Sequence, residues 1–526
     1  MKLEWYHKPY PLGLKANEIC LKCLEREAYI IEHYKKEGRC MVIRDPLYGL
    51  MNFSWDEVIL MDTCYVQRLK QISQMGFIYQ VFPSARHTRF EHTLGVVHLV
   101  KKAYNHLKEM YENHKDYGKF FTPEVEKTLI YSAMLHDIGH GPFSHAFEDI
   151  VCQLNEENDL WPQKVSLYSK NHEAKAQSII TNENFCIYHK LKDLLMKNFP
   201  EKNDKEINEM IADIGAYILS RQDPELLRRP LHLLINGGLD CDKLDYILRD
   251  AYHAGLKLGV DVDWIISGLR MSMVNNGPEI VFDEKVALSV LGLLRSRSTE
   301  GATVWNHHAN LIANTMLRKA TLHYINNYKK RHRNSLADLE DFRDYDLFRR
   351  NDYQLLQLLE ETRGFSRDIA IRLRNRNFYK RVCSIKVPKA TPLSKSQADN
   401  EKYYVRKVAK KLCFLSKMEE KMWIELRKRG YKKVKKGDIL LIEIPPVEED
   451  LPEDIYVEVE SKLIKLSEYL QKKYELKAPT ATYTYTNTCT NLIVCLSPEL
   501  YLNKDVRKAV HDCAMNLEKH LSMSVH

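Results

Sequence analysis

The chain has 526 residues, 44% of them hydrophobic and 29% charged, a globular composition with ample material for buried cores. Its net charge of +8 is mild over this length and suits an anionic small molecule or a nucleic acid without deciding between them. No apolar run approaches the roughly 18 residues of a membrane span, the stretch Met1-Lys-Leu-Glu-Trp-Tyr-His-Lys8 lacks the apolar core of a secretory signal, and the twelve dispersed cysteines suit reduced thiols in a cytoplasmic or nuclear setting, with no membrane partner expected.

In chain order, Cys20-Leu-Lys-Cys23 offers two thiols, but no second pair follows to close a tetrahedron, so these read as structural or incidental. Met41 to Phe53 is predicted to be extended around an Asp45-Pro-Leu-Tyr-Gly49 turn. From Asp62 to Met75, the apolar Val66, Leu69, Ile72 and Met75 recur at helical spacing and predict a core stripe. Asp62, Gln67, Arg68, Lys70 and Gln74 fall on the opposite face, whose simplest reading is a solvated one.

A helix is next expected through Arg89-Phe-Glu-His92, with Arg89 one turn before His92 on nearly the same face. The apolar run Leu129–Leu135 predicts a buried helix that delivers His136 and Asp137. Gly139, Gly141 and Pro142 then end it and leave His140 and His145 on the turn. Adjacent His and Asp side chains offer nitrogen and oxygen ligands, and a metal needs more than two. Positions 150–211 read as a polar insertion with short helices, in which His172 stands at a helix start. Farther on, Asp240 is a plausible N-cap of a helix with Leu244, Ile247 and Leu248 inward, so Asp242, Asp245 and Asp250 cannot all be solvated. A carboxylate from this helix would complete a mixed His and Asp set suited to Mn, Mg, Fe or Zn. Helices are also expected at 284–297 and 306–328.

The ordered strings VFPSARHTRFEHTLGV, LHDIGHGPFSH, NHEA and DCDKLDYILRD resemble the deoxynucleoside triphosphate triphosphohydrolases of the HD superfamily, including the vertebrate enzymes that join a SAM domain to an HD domain. The resemblance runs from about Met41 to Arg381, and no SAM domain is expected. It implies a mainly α fold: an HD-domain helical phosphohydrolase core with small β elements and a C-terminal α/β lobe. His92, His136, Asp137 and Asp242 match the family's metal ligands. His145 matches its proton donor, with Glu148 standing where an aspartate is usual. His140, His172, Arg89 and Lys243 match phosphate contacts, and Arg297 an arginine on the outer phosphates. Gln74, Met75, Tyr246 and Asp250 align around the deoxyribose, with Trp305 where the family has tyrosine.

The same resemblance implies cleavage of a dNTP to deoxynucleoside and inorganic triphosphate, possible nucleotide activation, and a homo-oligomer, dimer or tetramer. Asp62, Gln67, Lys70, Arg376 and Lys380 match an allosteric nucleotide site, although Met41 and Arg44 replace a lysine and an asparagine of that pocket.

The predicted division is a core at 1–385, a linker or exposed loop at 386–400, and a basic α/β lobe at 401–526. In that lobe, basic residues with interleaved Tyr403, Tyr404, Trp423 and Tyr431 permit nucleic-acid binding, with a solvated helix face as the plainer reading. The rival functions are an HD-type nucleotide phosphomonoesterase or phosphodiesterase, and a nucleic-acid-binding or nucleotide-sensing protein. A cyclic-dinucleotide phosphodiesterase is disfavoured because the GYP tripeptide expected of that class is missing.

Overall fold

The computed structural model of the protein describes residues 27–36, 40–157, 171–219, 230–274, 277–332, 347–388, 401–445, 455–460, 462–474 and 489–523. The Cys20–Cys23 pair and positions 389–400 of the expected linker lie outside the described residues, as do the side chains of Tyr403 and Tyr404. Strands β1 (Met41–Asp45) and β2 (Gly49–Phe53) form an antiparallel hairpin. Asp45 Oδ1 accepts from the backbone N–H groups of Leu47 and Tyr48 at its turn.

Helices α1 (Trp55–Met61) and α2 (Cys64–Arg68) follow. The single helix expected to Met75 ends earlier, in a 3-10 turn at Leu69–Gln71. Beyond it the backbone pairs with the approach to the next helix: Arg89 N–H donates to the Ile72 carbonyl and Gln74 N–H to the His87 carbonyl. Val66, Leu69, Ile72 and Met75 are nevertheless all buried. Arg68 corrects the solvated-face reading, being fully buried and donating to the carbonyls of His140 and Phe348 at 2.6 Å each. Turn carbonyls with no helical partner need such a donor.

Helices α3 (Arg89–Tyr111), α4 (Pro123–Leu135) and α5 (His145–Glu157) build the centre. Thr88 and Glu91 form a capping box on α3, and Thr122 caps α4 with Pro123 in its first turn. Helices α6 (His172–Thr181), α7 (Cys186–Asn198) and α8 (Asp204–Ile218) occupy most of the region read as a polar insertion. They are core helices: Ile179, Ile180, Leu191, Leu195, Ile207, Ile211 and Ile214 are buried in the main hydrophobic cluster. Charged outer faces had masked an apolar stripe of helical period.

Next come α9 (Cys241–Ala254), α10 (Val262–Ser267), β3 (Leu269–Val274) and β4 (Gly277–Asp283). After them lie α11 (Ala287–Glu300), α12 (His308–His332), α13 (Asp352–Glu360), α14 (Phe365–Arg374) and β5 (Lys380–Pro388). A π-helical turn, Gly301–Trp305, separates α11 from α12.

The C-terminal elements are α15 (Glu401–Lys428), β6 (Ile439–Glu443), β7 (Tyr456–Val459), β8 (Lys462–Lys465), α16 (Leu466–Tyr474), β9 (Cys489–Leu496) and α17 (Lys504–Met523). They divide between two sheets. Strands β7 and β8 extend β3 and β4 in the order β3-β4-β7-β8, and Val457, Leu466 and Leu470 join the main cluster. The other sheet, β5-β9-β6, has a second cluster of its own with the inner faces of α15 and α17. Leu412, Leu415, Met418, Met422 and Leu426 are the buried stripe of α15, and Lys410, Lys417, Lys421 and Lys428 are exposed. Trp423 donates from Nε1 to the Val434 carbonyl. Among the described residues, no helix is long and apolar enough to cross a membrane.

Candidate active site

Three helices bring the expected metal ligands together. His92 lies one turn into α3, His136 and Asp137 open the 3-10 turn after α4, and Asp242 lies in the first turn of α9. His92 Nε2 is 2.9 Å from Asp242 Oδ1 and 3.4 Å from His136 Nε2, and His136 Nε2 is 3.9 Å from the same Asp242 oxygen. Two glycines permit this approach. A Cβ at Gly95 would sit 1.8 Å from Asp245 Oδ1, and one at Gly139 would sit 1.9 Å from the His172 carbonyl oxygen.

The far side of each imidazole is also held: His92 Nδ1 pairs with Asp245 Oδ2 at 2.8 Å, and His136 Nδ1 with the Ala133 carbonyl at 2.7 Å. Nδ1 held from behind and Nε2 converging in front is the arrangement of metal-binding histidines, so His92, His136 and Asp242 fit a divalent cation. Burial opposes charge on His92, but hydrogen bonds to Asp242 and Asp245 push it up to about 10. Asp137 borders this set, with Oδ1 3.4 Å from His136 Nε2 and Oδ2 3.8 Å from His92 Nε2. Arg89 Nη1 donates to both Asp137 oxygens, at 3.0 and 3.2 Å, and Arg89 Nε donates to Ser144 Oγ. Despite burial, chiefly the Arg89 charge holds the Asp137 carboxyl well below the usual range.

Behind the HD turn lies a second group, His140, His145, Glu148 and His172. Glu148 bridges it, with Oε2 3.0 Å from His145 Nδ1 and Oε1 2.9 Å from His172 Nδ1. The His140 and His172 rings stack at 3.8 Å. Burial outweighs the Asp137 charge at His140 and keeps that imidazole neutral, whereas Glu148 overcomes burial at His172 and raises it. His145 is 67% exposed, and the nitrogen that Glu148 holds is its Nδ1.

Around these groups, Lys243 donates from Nζ to Asp240 Oδ2 at 2.5 Å and to the Gly237 carbonyl. Arg297 Nε donates to Tyr246 Oη at 2.9 Å. The π turn presents Trp305, whose Nε1 donates to Asp250 Oδ2 at 2.8 Å, with its ring edge-on to Tyr246. Gln74 and Met75 are buried, and Met75 shares a small apolar cluster with Ile78, Ala85 and Val304, against which Trp305 packs. Of the expected allosteric residues, Asp62, Gln67 and Lys70 form a string: Gln67 Nε2 donates to Asp62 Oδ1 at 3.3 Å, and Lys70 Nζ donates to Gln67 Oε1 at 2.7 Å. Arg376 donates instead to the Gln80 carbonyl, and Lys380 opens β5.

The structure adds residues that sequence reasoning left without a role. Asp245 backs His92 and is itself held by Arg249, which also binds Asp45. Its signal was a position three residues past Asp242, on one helix face. Buried His87 pairs its Nε2 with Asp250 Oδ1 at 2.8 Å, so both Asp250 oxygens are occupied by ring nitrogens. Glu300 gave no signal. It is fully buried beside Asp250, neither carboxylate oxygen has a hydrogen-bond partner among the described residues, and burial raises it to about 9.

Residues 89–223 match the HD domain family, and residues 260–472 match the HD associated region. An uncharacterized protein of Methanocaldococcus jannaschii is 24% identical over 83% of this chain and 76% of its own length. The deoxynucleoside triphosphate triphosphohydrolase SAMHD1 of Bos taurus is 27% identical over 59% of this chain and 55% of its own, and that of Homo sapiens 28% over 53% and 44%. The chain thus spans about half the length of these vertebrate relatives. With the His–Asp set at the junction of α3, the HD turn and α9, residues 89–223 carry an HD domain, and the chain is similar to the HD-domain phosphohydrolases.

Proposed function

We propose that the protein is a metal-dependent dNTP triphosphohydrolase that cleaves a dNTP to a deoxynucleoside and inorganic triphosphate. The observation that carries this reading is the Glu148 bridge, which fixes a solvent-facing His145 beside a metal-fitting His–Asp set. The resemblance of the motif strings and the similarity to SAMHD1 supply the substrate class.

His92, His136, Asp137 and Asp242 would hold the cation, whether Mn, Mg, Fe or Zn. When bound, it would supply Lewis-acid activation of water and neutralisation of phosphate charge. Arg89 braces Asp137 and, with Lys243, Arg297, His140 and His172, holds phosphate oxygens. Glu148 keeps the His145 Nδ1 proton engaged, so that Nε2 can deliver a proton to the departing 5′-oxygen as the bond to the α-phosphorus breaks. Gln74, Met75, Tyr246, Asp250 and Trp305 enclose the sugar, and the indole, pinned through Nε1 to Asp250, closes the 2′ edge. Asp62, Gln67, Lys70, Arg376 and Lys380 form part of an activating nucleotide site in a homo-oligomer, and the setting is cytoplasmic or nuclear.

The test is incubation of purified protein with each dNTP and Mn²⁺ or Mg²⁺, with and without mixed nucleotides, beside an Asp137→Ala control. Triphosphate and deoxynucleoside, lost in the control, are expected. Orthophosphate or pyrophosphate would instead establish a phosphomonoesterase or phosphodiesterase, and no turnover under any condition would leave a sensing or binding protein.

A further inference from the structure

A carboxylate from the distant helix α13 ties together two loops that meet at Arg89. Asp352, the first residue of α13, accepts the Phe143 backbone N–H at Oδ1 (2.6 Å). Its Oδ2 accepts both the backbone N–H and the hydroxyl of Ser73, at 2.9 and 2.6 Å. Desolvation pushes this carboxyl up to about 6, which leaves it ionised, and an acceptor only, at neutral pH. Phe143 and Ser144, the two residues before His145, have φ of +59° and +54°. Residues other than glycine hold that left-handed conformation only where their surroundings impose it. The Phe143 ring stacks on Phe77 at 4.3 Å, and its N–H is taken by Asp352. Ser144 completes the tie: its hydroxyl donates to the Ser73 carbonyl at 2.7 Å, so the oxygen's lone pairs are left for Arg89 Nε, 2.9 Å away. Arg89 Nη1 then lies on both oxygens of Asp137.

We propose that Asp352 is a positioning residue of the hydrolytic site: by clamping Ser73 to Phe143, it holds Ser144 where its hydroxyl aims the Arg89 guanidinium at Asp137. This role rests on the dNTP hydrolysis proposed above. Asp352 lies 209 positions from Phe143 and 279 from Ser73, and it reaches Arg89 through Ser144. A guanidinium whose Nε has lost its acceptor can swing on its long stem and carry Nη1 off the carboxylate. Asparagine at position 352 offers one oxygen and one NH₂ group, so it cannot serve both loops. The backbone N–H of either Phe143 or Ser73 would then face another donor.

The test is a double-mutant cycle on the full-length protein with dNTP and Mn²⁺. Asp352→Asn and Ser144→Ala should each lower kcat/KM by roughly 10- to 100-fold. The double variant should be about as slow as Ser144→Ala alone, because the two residues act in series. Asn351→Ala is the control: Asn351 caps α13 through the Gln354 N–H and donates to Gln71, so its loss should lower the melting temperature and leave kcat/KM near that of the parent. A second readout needs no turnover. In hydrogen exchange followed by mass spectrometry, residues 141–147 should take up deuterium faster in Asp352→Asn than in the parent or in Asn351→Ala, while α7 exchanges as in the parent. The proposal is overturned if the two losses multiply in the double variant, or if Asn351→Ala loses as much activity as Asp352→Asn. Exchange in Asp352→Asn that is unchanged at 141–147, or faster throughout the chain, overturns it equally. An unmodified protein that turns over no dNTP sinks the reaction instead, and the exchange comparison still decides the clamp.

Discussion

In the proposed centre Asp245 would reach a cation only through an imidazole, yet by holding His92 Nδ1 it sets which edge of that ring is turned to Asp242. Replacing such a residue weakens metal binding by roughly 10- to 100-fold in other centres. Asp245→Asn is expected to lower Mn²⁺ affinity by that order in calorimetric titration, with all direct ligands in place. Glu148→Gln removes the charge shared by His145 and His172, and kcat should fall roughly 10²-fold or more while metal affinity stays near that of the parent. Glu300 yields a stability prediction with a definite sign. Its folded-state value of about 9 lies above the ordinary 4.5, so the native protein holds a proton that the unfolded chain releases between those values. The contribution of Glu300 to stability is therefore greatest below pH 4.5, declines by at most about 1.4 kcal/mol per pH unit as pH rises, and levels above 9. Glu300→Gln removes that slope, so the melting temperature of the variant relative to the parent should climb from pH 5 to pH 9.

At the scale of elements, the motif residues were legible because His–Asp adjacency and the strings around it are local. Their supports were less so: Asp245 is local but lies among several acidic residues, and His87 finds Asp250 from 163 positions away. Arg68 was read as solvated for the same reason, since its carbonyl partners belong to residues 72 and 280 positions distant. The stripes of α6, α7 and α8 were obscured by their charged faces, and the shortened helix before Ile72 depends on backbone pairing with residues 87–89. Packing between elements makes the next prediction. Gly139→Ala forces a Cβ onto the His172 carbonyl, which belongs to backbone and cannot swing aside. A loss of roughly 1–3 kcal/mol in chemical denaturation is expected, accompanied by reduced activity as α6 is pushed from the HD turn.

At the scale of the whole molecule, individual helices were legible from periodicity and the mainly helical class from the resemblance of the motif strings, while the allotment of the C-terminal strands to sheets was not. Register between distant strands leaves no local pattern, which is why residues 401–526 were read as one lobe although β7 and β8 join the sheet of β3 and β4. Strand β9 is the middle of its sheet and is paired on both sides, with β5 along one edge and β6 along the other. It leaves the ribosome about a hundred residues after β5, a wait of roughly five to twenty seconds at ordinary elongation rates. Throughout that interval β5, and for its second half β6 as well, has an open backbone edge with no central strand to pair with, a template for pairing with neighbouring nascent chains. Yield in a crowded cell is therefore set by the synthesis of this lobe, and slowing translation across residues 389–488 should increase aggregation without changing the stability of molecules that have already folded.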